Sequence, residues 1–510
     1  MSGYYIENFG CRATQADGAA LERQFEQRGM SRASTPGRAS VVVMNTCTVT
    51  AAADQDARAA IRRVRRQNPE AQIVVTGCYA QRAPKEIAAL PGVSLVIGNS
   101  HKHVLAEIVS AQTQTSDLGP QPSDPAFIPL TVLATTCCSS DQLEVTEPSR
   151  WTPRSEVRSP RSEVRTFVSD IFAHTELLAA PVFDAANERT RPNLKVQDGC
   201  DNRCSFCVIP FVRGQSRSLP IDRIVREVHG LVNSGYREAV ISGINLGRWG
   251  RDFDLRPPTS DLSPTRTPEV RGPRSEVTLE KPALPSLIRA ILSETALEKL
   301  RISSVEPMDW TDDLISLVAS SPRIAKHAHV PMQSASDPVL RRMHRKYRPW
   351  HYREKIEKIR AAMPTAAIGA DVMVGFPGET DAEFEATRRM IEDLPFTYLH
   401  VFTYSARPGT PAATMPNQVP VHLARERNRI LRELAAEKKL AFMRSFIGKQ
   451  VEAITLNVVG NDATGEFTEA LSENYLKLHL RGRHAPNRWR RAQVTDVSDG
   501  VVIAEPRAHS

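Results

Sequence analysis

Three cysteines in the segment QDGCDNRCSFC are spaced so that they could bind one metal cluster. Cys200, Cys204 and Cys207 form the pattern CxxxCxxC on a predicted loop after a strand. Thiolates are the usual ligands of iron–sulfur clusters, and this spacing lets one short loop present three of them to a four-iron cubane. A zinc site usually has a fourth Cys or His at a regular distance, and none follows nearby. We therefore expect a 4Fe–4S cluster with one iron left open.

An open iron indicates which cofactor the site could take. S-adenosyl-L-methionine (SAM) can chelate such an iron, and an electron from the reduced cluster would cleave its sulfonium to a 5′-deoxyadenosyl radical. Candidate partners for SAM lie at or near the ends of the strands of the same predicted barrel. They are Gly243, Asn245, Ser304, Glu306, Gln333, Asp371 and Gly375. Each could equally be a turn residue or a polar group of the barrel core, but their shared position favours cofactor binding.

A second set of cysteines follows three predicted strands near the start of the chain. Cys11, Cys47 and Cys78 would all lie at the carboxyl edge of one parallel sheet, where open α/β sheets bind their ligands. Three converging thiolates could hold a second cluster. The alternative is that they are buried structural thiols. The adjacent pair Cys137 and Cys138 has no third partner in register and is predicted to be incidental.

The segments around these motifs predict three folded units. The strands YYIENF, VVVMN and IVVTG alternate with helices over residues 1–112, which indicates a parallel α/β domain of the Rossmann or flavodoxin-like kind. Six βα units over residues 191–420 indicate a partial (βα)6 barrel with its site at the carboxyl ends of the strands. A charged linking helix over 421–447 precedes short alternating strands over 448–508, which favour a small OB-like β-barrel.

Two stretches rich in Pro, Ser and Arg interrupt these units. They span residues 113–190 and 252–285, and the pentapeptide PRSEV recurs in them at Pro153, Pro160 and Pro273. Such segments cannot bury enough apolar surface to offset the loss of chain entropy. We expect them to be insertions or linkers.

The composition favours a cytoplasmic protein with a polyanionic partner. The 510 residues have no apolar run that could span a bilayer, and the first residues do not resemble a secretory signal. Eight cysteines in a reducing compartment more often bind metal than form disulfides. The net charge of +8 suits a nucleic-acid partner. In the tail, cations interleave with an aromatic ring, and the candidate RNA contacts are Arg488, Trp489, Arg490 and Arg491. The segment RRMHRKYRPW could do the same or be a solvated helical face.

Together these motifs resemble those of the bacterial methylthiotransferase family of radical SAM enzymes. The matching segments are NTCTVT, TGCYAQ, QDGCDNRCSFCVIPFVRGQSRS, SGINLGRWG, RISSVEP, HVPMQSASDPVLRRMHRKY, DVMVGFPGET and HVFTYSARPGTPA. GINLG, SSVEP and MHRKY are most similar to the branch that acts on N6-threonylcarbamoyladenosine at position 37 of tRNA. One departure is that Thr14 and Gln15 stand where this family usually has Asn after the first cysteine.

The resemblance implies a division of labour between the two cysteine sets. Cys200, Cys204 and Cys207 would hold the radical SAM cluster and the other set an auxiliary 4Fe–4S cluster. Two SAM molecules would serve to methylate sulfur and to activate C2 of the adenine, whose C–H bond is too inert for acid–base chemistry. The tail would be a TRAM domain that grips the anticodon loop of the tRNA, and a flavodoxin or ferredoxin would donate electrons. No membrane is involved.

Two alternatives remain open at this point. The chain could act on isopentenyladenosine in tRNA or on a ribosomal-protein aspartate, as other branches of the family do. It could also be a non-catalytic iron–sulfur protein that binds RNA. Glycines at the ends of the barrel strands, such as Gly243 and Gly375, argue against the second, because a structural protein has no need of them there.

Overall fold

The computed structural model describes residues 3–115, 164–174, 177, 191–253, 282–462 and 465–507. These residues form a six-stranded parallel sheet, a partial barrel and a closed five-stranded barrel, in that order along the chain. The predicted α/β class with a small carboxyl-terminal barrel is thereby confirmed. The PRSEV repeats, Cys137 and Cys138 lie outside the described residues. No helix in the described ranges is long and apolar enough to cross a membrane.

The amino-terminal sheet has the strand order β2-β1-β3-β4-β5-β6, and all its pairs are parallel. Its elements are β1 (Gly3–Asn8), α1 (Arg12–Glu26), β2 (Ser31–Arg32), β3 (Val41–Thr46), α2 (Ala51–Gln67), β4 (Gln72–Gly77), α3 (Cys78–Arg82), α4 (Pro84–Ala88), β5 (Val93–Gly98), α5 (Leu105–Thr115) and β6 (Arg165–Phe167). Every residue of β3 is buried, as expected for a central parallel strand with helices on both faces. The edge strand β6 lies within the stretch predicted to be an insertion or linker.

The partial barrel consists of two parallel-stranded sheets, β10-β9-β7 with an antiparallel β8 at the edge, and β11-β12-β13. A bridge between Ser304 and His329 connects them. The elements are β7 (Asn193–Asp198), α6 (Ile209–Arg213), β8 (Arg217–Ser218), α7 (Ile221–Asn233), β9 (Glu238–Gly243), α8 (Leu284–Glu294), β10 (Lys299–Ile302), α9 (Asp312–Ser320), β11 (His327–His329), α10 (Asp337–Arg342), α11 (Pro349–Ala362), β12 (Ala367–Val374), α12 (Asp381–Asp393) and β13 (Tyr398–Thr403). The side between β13 and β7 is not closed by strand pairing among the described residues.

The carboxyl-terminal barrel closes in the order β14-β15-β16-β18-β17. Its strands follow the long helix α13 (Val421–Arg444) and are β14 (Gln450–Asp462), β15 (Gly465–Ser472), β16 (Lys477–Arg481), β17 (Trp489–Ser498) and β18 (Val501–Pro506). The turn between β15 and β16 enters the larger barrel at the amino-terminal ends of its strands. There Arg301 donates to the backbone oxygens of Ser472 and Glu473, both at 3.1 Å, and the ring of Tyr475 stacks on His327.

A buried ion network joins the amino-terminal sheet to the first strand of the barrel. Asp17, on α1, lies 3.0 Å from Lys102 Nζ and 3.0 Å from Arg213 Nη2, and it also binds Lys195 of β7. Asp198 binds Lys195 at 2.7 Å and Arg213 at 3.0 Å. Burial opposes ionisation of Asp17, but the three cations outweigh it and lower the pKa to about 2. The network therefore holds both its carboxylates charged inside the protein.

A second buried ion cluster fixes the sheet to the other side of the open barrel. Arg407, which follows β13, binds Asp54 and donates to Thr48 Oγ1 at 2.9 Å, and Arg82 binds the same carboxylate at 2.9 Å. The sheet is thus held at β7 and beyond β13, so it covers the gap between these two strands. At the carboxyl end of its strand β5, Asn99 donates to the backbone oxygen of Val212 in α6 at 2.7 Å.

We predict that the substitution Asp17→Ala destabilises the protein by about 3–5 kcal/mol, because it removes the carboxylate that Lys102 binds and leaves Lys195 and Arg213 with Asp198 alone. Urea denaturation followed by circular dichroism measures the loss. The control is Asp222→Ala, which removes an exposed pair with Arg226 and is expected to cost less than about 0.5 kcal/mol. Equal effects of the two substitutions would contradict the role given to the network.

Candidate functional site

The loop that carries Cys200, Cys204 and Cys207 begins directly after β7. Gly199 has φ +74°, and a Cβ at this position would lie 1.9 Å from the backbone oxygen of Gln215. Only glycine allows this turn, which brings Cys200 N within 3.1 Å of Gly214 O. The backbone of Cys207 then donates to Cys204 O at 3.1 Å. The loop therefore folds back over the carboxyl end of the barrel.

The three thiols of this loop are close together and have polar partners. Burial, together with the nearby Cys204 and Cys200, raises the pKa of Cys207 to about 12. Asn245 Nδ2 lies 3.5 Å from Cys200 Sγ, and Arg345 Nη1 lies 3.3 Å from Cys204 Sγ. Donors of this kind stabilise thiolates once metal has displaced their protons.

The spacing of the sulfurs favours a cluster over a single ion. Thiolates on one zinc lie about 3.8 Å apart, because each bond is about 2.3 Å long and the geometry is tetrahedral. Within the described residues, the one set of three metal-binding side chains with all ligand atoms within 4.8 Å is His329, Asp371 and His400. Neither cysteine triplet forms so tight a set. Neither set therefore matches the ligand spacing of one tetrahedral zinc ion.

The second cysteine set converges at the carboxyl edge of the amino-terminal sheet. Gly10 has φ +100°, and a Cβ there would lie 2.6 Å from Cys47 Cβ and 2.9 Å from its sulfur. The chain therefore passes closely over Cys47 before Cys11 starts α1 as its N-cap residue. Burial, together with the nearby Cys78 and Cys11, raises the pKa of Cys47 to about 12. The three thiols thus share one small region, and these residues fit an iron–sulfur cluster.

Polar contacts link the second set to the barrel. Asn99 Nδ2 lies 3.6 Å from Cys78 Sγ and donates to the backbone oxygen of Val212 at 2.7 Å. Thr14, which stands near the position where the family usually has Asn, lies 3.7 Å from Cys11 Sγ. Val212 belongs to α6, the helix that starts two residues after Cys207. A single short helix therefore separates the two cysteine sets.

Arg213, at the end of α6, is the main charged group between the two sets. Burial opposes its charge, but Asp198, Cys78 and Asp17 outweigh burial and hold its pKa well above the ordinary value. Sequence reasoning missed Arg213 and Arg345, although both lie within segments that carried the family resemblance. A cation within a motif of the family was the only signal, and it does not separate a buried arginine from a solvated one.

Several predicted SAM partners gather around the first cysteine set. A Cβ at Gly243 would lie 2.8 Å from Gln197 Oε1, and the same oxygen accepts from the backbone of Asn245 at 2.7 Å. Glu306 forms an ion pair with Arg345, the residue that also contacts Cys204. Ser304, as the bridge partner of His329, lies nearer the interior of the barrel. These residues surround the space next to the cluster loop.

Gln333, Asp371 and Gly375 have different surroundings. Gln333 has φ +63°, and its backbone nitrogen donates to Asp371 O at 2.8 Å. A Cβ at Gly375 would meet Ala424 of α13 at 2.5 Å, and the next residue, Phe376, packs edge-on against Phe206 of the cluster loop. The backbone nitrogen of Gly375 donates to Glu379 Oε2 at 2.7 Å. The structure therefore places Gly375 in packing between β12 and α13.

The interior of the barrel contains a hydrogen-bonded cluster of histidines around Asp371. His329 Nε2 lies 3.2 Å and His400 Nδ1 lies 3.3 Å from Asp371 Oδ1. The hydroxyl of Tyr398 forms hydrogen bonds with His329 Nδ1 at 3.0 Å and with His327 Nε2 at 2.7 Å. Burial would raise the pKa of Asp371, but the two imidazoles lower it well below its usual range. His400 is exposed, so a substrate that enters the barrel can contact this cluster.

The residues of the tail that were predicted to contact RNA differ in their exposure and in their contacts within the protein. The ring of Trp489 lies 5.3 Å from Lys299 Nζ of the larger barrel, so it packs at the junction of the two barrels. Arg491 pairs with Glu452 at 3.3 Å, and Arg490 is partly buried. Arg488 and the neighbouring Arg483 are exposed.

Two family models match the chain. Residues 3–98 match the uncharacterized protein family UPF0004, and residues 194–391 match the radical SAM superfamily. The first match covers β1 to β5 with Cys11, Cys47 and Cys78, and the second covers the cluster loop and the barrel strands up to β12.

Full-length relatives come from several bacteria. The chain is 32% identical to the threonylcarbamoyladenosine tRNA methylthiotransferase MtaB of Bacillus subtilis, over 94% of this chain and 91% of the relative. It is 32% identical to the MtaB protein of Aquifex aeolicus, over 94% of this chain and 96% of the relative. It is also 31% identical to the tRNA-2-methylthio-N(6)-dimethylallyladenosine synthase of Novosphingobium aromaticivorans, over 88% and 86%.

One solved structure has a similar fold. The radical SAM methyltransferase TsrM of Kitasatospora setae superposes with a TM-score of 0.51 at 13% identity, covering 81% of this chain and 74% of TsrM. At this identity the similarity concerns the fold alone.

We predict that Gly10→Ala prevents the second cysteine set from binding its cluster, because a Cβ would lie 2.6 Å from Cys47 Cβ. Iron bound after anaerobic reconstitution should fall from about eight to about four atoms per chain. The matched control is Gly29→Ala, which has a similar positive φ of +75° but no atom within 4 Å of the added Cβ. Unchanged iron content in Gly10→Ala would contradict the close approach.

Proposed function

This chain belongs to the tRNA methylthiotransferase family of radical SAM enzymes, and we propose that it converts N6-threonylcarbamoyladenosine at position 37 of tRNA to its 2-methylthio derivative. The cofactors of the family, 4Fe–4S clusters and SAM, fit the two cysteine sets of this chain. The observation that carries the proposal is their placement: two separate triplets of thiols lie on either side of α6 and belong to different units of the fold.

Each triplet has its own part in the proposed reaction. Cys200, Cys204 and Cys207 would hold the cluster whose chemistry, with SAM, would be the supply of a 5′-deoxyadenosyl radical. Cys11, Cys47 and Cys78 would hold the auxiliary cluster, which would supply the sulfur. In all, two SAM molecules are consumed, one for the methyl group and one for the radical.

The side chains around the clusters bind and orient the reactants. Arg345 and Asn245 donate hydrogen bonds toward Cys204 and Cys200, and Arg345 in turn is held by Glu306. The amino-terminal sheet covers the open side of the barrel and thereby limits the access of water to a reactive radical. The Asp371 cluster faces the same interior, where His400 is available to orient the substrate base.

The choice of the threonylcarbamoyladenosine branch is supported by the motifs GINLG, SSVEP and MHRKY and by the activity for which the MtaB relatives are named. A relative named for dimethylallyladenosine reaches 31% identity, so overall similarity separates the branches only weakly. The small carboxyl-terminal barrel, as a TRAM domain, would grip the anticodon region of the tRNA. Its exposed arginines suit contacts with phosphates.

We predict that the double substitution Arg483→Ala/Arg488→Ala weakens tRNA binding without changing the cleavage of SAM. Each lost phosphate contact should make the slope of log K against the logarithm of the salt concentration less steep by about one. Filter binding at several salt concentrations measures both the affinity and the slope. The control is Arg223→Ala/Arg226→Ala, which removes two exposed cations from α7. A salt slope that is the same in all three proteins would contradict the assignment.

Mass spectrometry of tRNA nucleosides tests the proposed function. In a bacterium whose own methylthiotransferase for threonylcarbamoyladenosine has been deleted, expression of this chain should restore 2-methylthio-N6-threonylcarbamoyladenosine. A strain without the isopentenyladenosine enzyme serves as the parallel recipient. Restoration of only the isopentenyl product would show that the branch is wrong, and restoration of neither would contradict the tRNA activity.

A further inference from the structure

Three arginines meet at the junction of the three units of the fold. Arg12 follows Cys11 at the start of α1, Arg191 precedes β7, and Arg301 belongs to β10. Arg12 Nη2 donates to the hydroxyl of Tyr475 at 3.2 Å, and the Arg301 guanidinium lies 5.2 Å from the centroid of the same ring. Because Tyr475 lies in the turn between β15 and β16, the amino-terminal sheet and both barrels contribute to this group.

Only one of the three arginines has a carboxylate partner. Arg301 binds Glu238 Oε1 at 2.7 Å, whereas the buried Oε2 has no hydrogen-bond partner among the described residues, so Arg191 does not use it. Glu473, in the same turn as the tyrosine, pairs with Lys299 at 3.1 Å. Within the part of the chain that the structure describes, neither of the other two arginines forms an ion pair. The group thus holds three cations against one carboxylate.

The positive charge of Arg191 is poorly compensated. Burial lowers the pKa of Arg191 from its ordinary value, Glu238 opposes this effect, and the neighbouring Arg301 and Arg12 lower the pKa further. Charges that are removed from water are usually paired, because an unpaired one is costly in a medium of low dielectric constant. A bound anion would supply the missing partner. Arg12 is exposed, so a ligand can reach the group.

Aromatic rings connect the arginines to the interior of the barrel. The ring of Tyr475 stacks on His327 at 4.9 Å and on Tyr398 at 5.8 Å between centroids. Tyr398 in turn forms a hydrogen bond with His329, which binds Asp371. The arginines and the Asp371 cluster are therefore parts of one continuous wall, and flat rings of this kind suit a planar nucleobase and its substituent.

The two tRNA substrates of the family differ in charge at this point of the base. The threonylcarbamoyl group ends in a free carboxylate and is anionic at neutral pH, whereas the isopentenyl group is an uncharged hydrocarbon. Guanidinium groups bind carboxylates through paired, charge-assisted hydrogen bonds. We propose that Arg12 and Arg191 form a carboxylate subsite that binds the threonylcarbamoyl group and selects this substrate over the isopentenyl one. The inference rests on the proposed function, because only that substrate carries the anion.

The carboxylate subsite also has a consequence for the position of the base. Arg12 adjoins Cys11, so a carboxylate held by this arginine fixes the base relative to the cysteine set that would supply the sulfur. An isopentenyl group in the same place would leave both cations without a partner. Sites built for a polar group reject analogues that lack it for this reason.

The test compares two synthetic anticodon stem–loop RNAs in the reconstituted full-length holoenzyme. Both carry threonylcarbamoyladenosine, with the free carboxylate in one and the isosteric, uncharged carboxamide in the other. The wild type should convert the acid with a kcat/KM about tenfold to a hundredfold higher than the amide, because hydrogen bonds to a charged group are lost. In Arg12→Gln/Arg191→Met this ratio should fall to about one. Mass spectrometry of the nucleosides measures the initial rates.

The matched control is Arg62→Gln/Arg66→Met, which removes the same charge from the exposed side of α2 and should keep the wild-type ratio. Arg12→Gln alone, with measured iron content, should also lower the ratio and keeps the test valid if the change at Arg191 prevents folding. Equal conversion of both RNAs by the wild type overturns the proposal. So does a variant that loses activity on both RNAs but keeps the wild-type ratio. Wild-type protein that converts neither RNA instead refutes the proposed function and, with it, the subsite.

Discussion

The burial of Asp17 among three cations is the interaction on which the arrangement of this protein depends. A carboxylate and cations that are removed from water must keep their partners, because an unpaired charge in the interior costs several kcal/mol. Asp17 belongs to the amino-terminal sheet, whereas Lys195 and Arg213 belong to the barrel. The sheet therefore cannot separate from the barrel without leaving these charges unpaired. The position of one cysteine set relative to the other follows from this constraint.

The same network has an electrostatic consequence for the cysteines. The network contains three cations and two carboxylates and so carries a surplus of one positive charge. This charge lies near Cys78 and Cys11, which both raise the pKa of Arg213. Positive charge next to a thiol favours the thiolate, the form that binds metal. The network that joins the two units thus also favours the metal-binding form of the cysteines between them. Arg345 likewise places a positive charge beside Cys204, although the ion pair with Glu306 balances this charge.

Much of the fold could be predicted, because buried parallel strands appear as short apolar runs and every cysteine of interest follows one. The strand β5 and the edge strand β6 were not predicted; β6 is short and lies among low-complexity residues. Asp17, Arg213 and Arg345 could not be recognised, because a single charge in a helical or loop segment is usually solvated. Their partners are distant in sequence, so only the tertiary structure reveals them. The contact of Gly375 with α13 could not be predicted either, since a glycine at a strand end looks the same in sequence whether or not a helix packs against it.

The central claim is that one cysteine set serves the radical and the other the sulfur, and the triple substitution Cys11→Ala/Cys47→Ala/Cys78→Ala tests it most directly. The reconstituted variant is incubated with SAM, dithionite and tRNA, and 5′-deoxyadenosine and the methylthio nucleoside are measured in the same reaction. The account predicts that 5′-deoxyadenosine still forms while the methylthio product is lost. Continued formation of the methylthio product, or loss of both products from a folded variant, would contradict it.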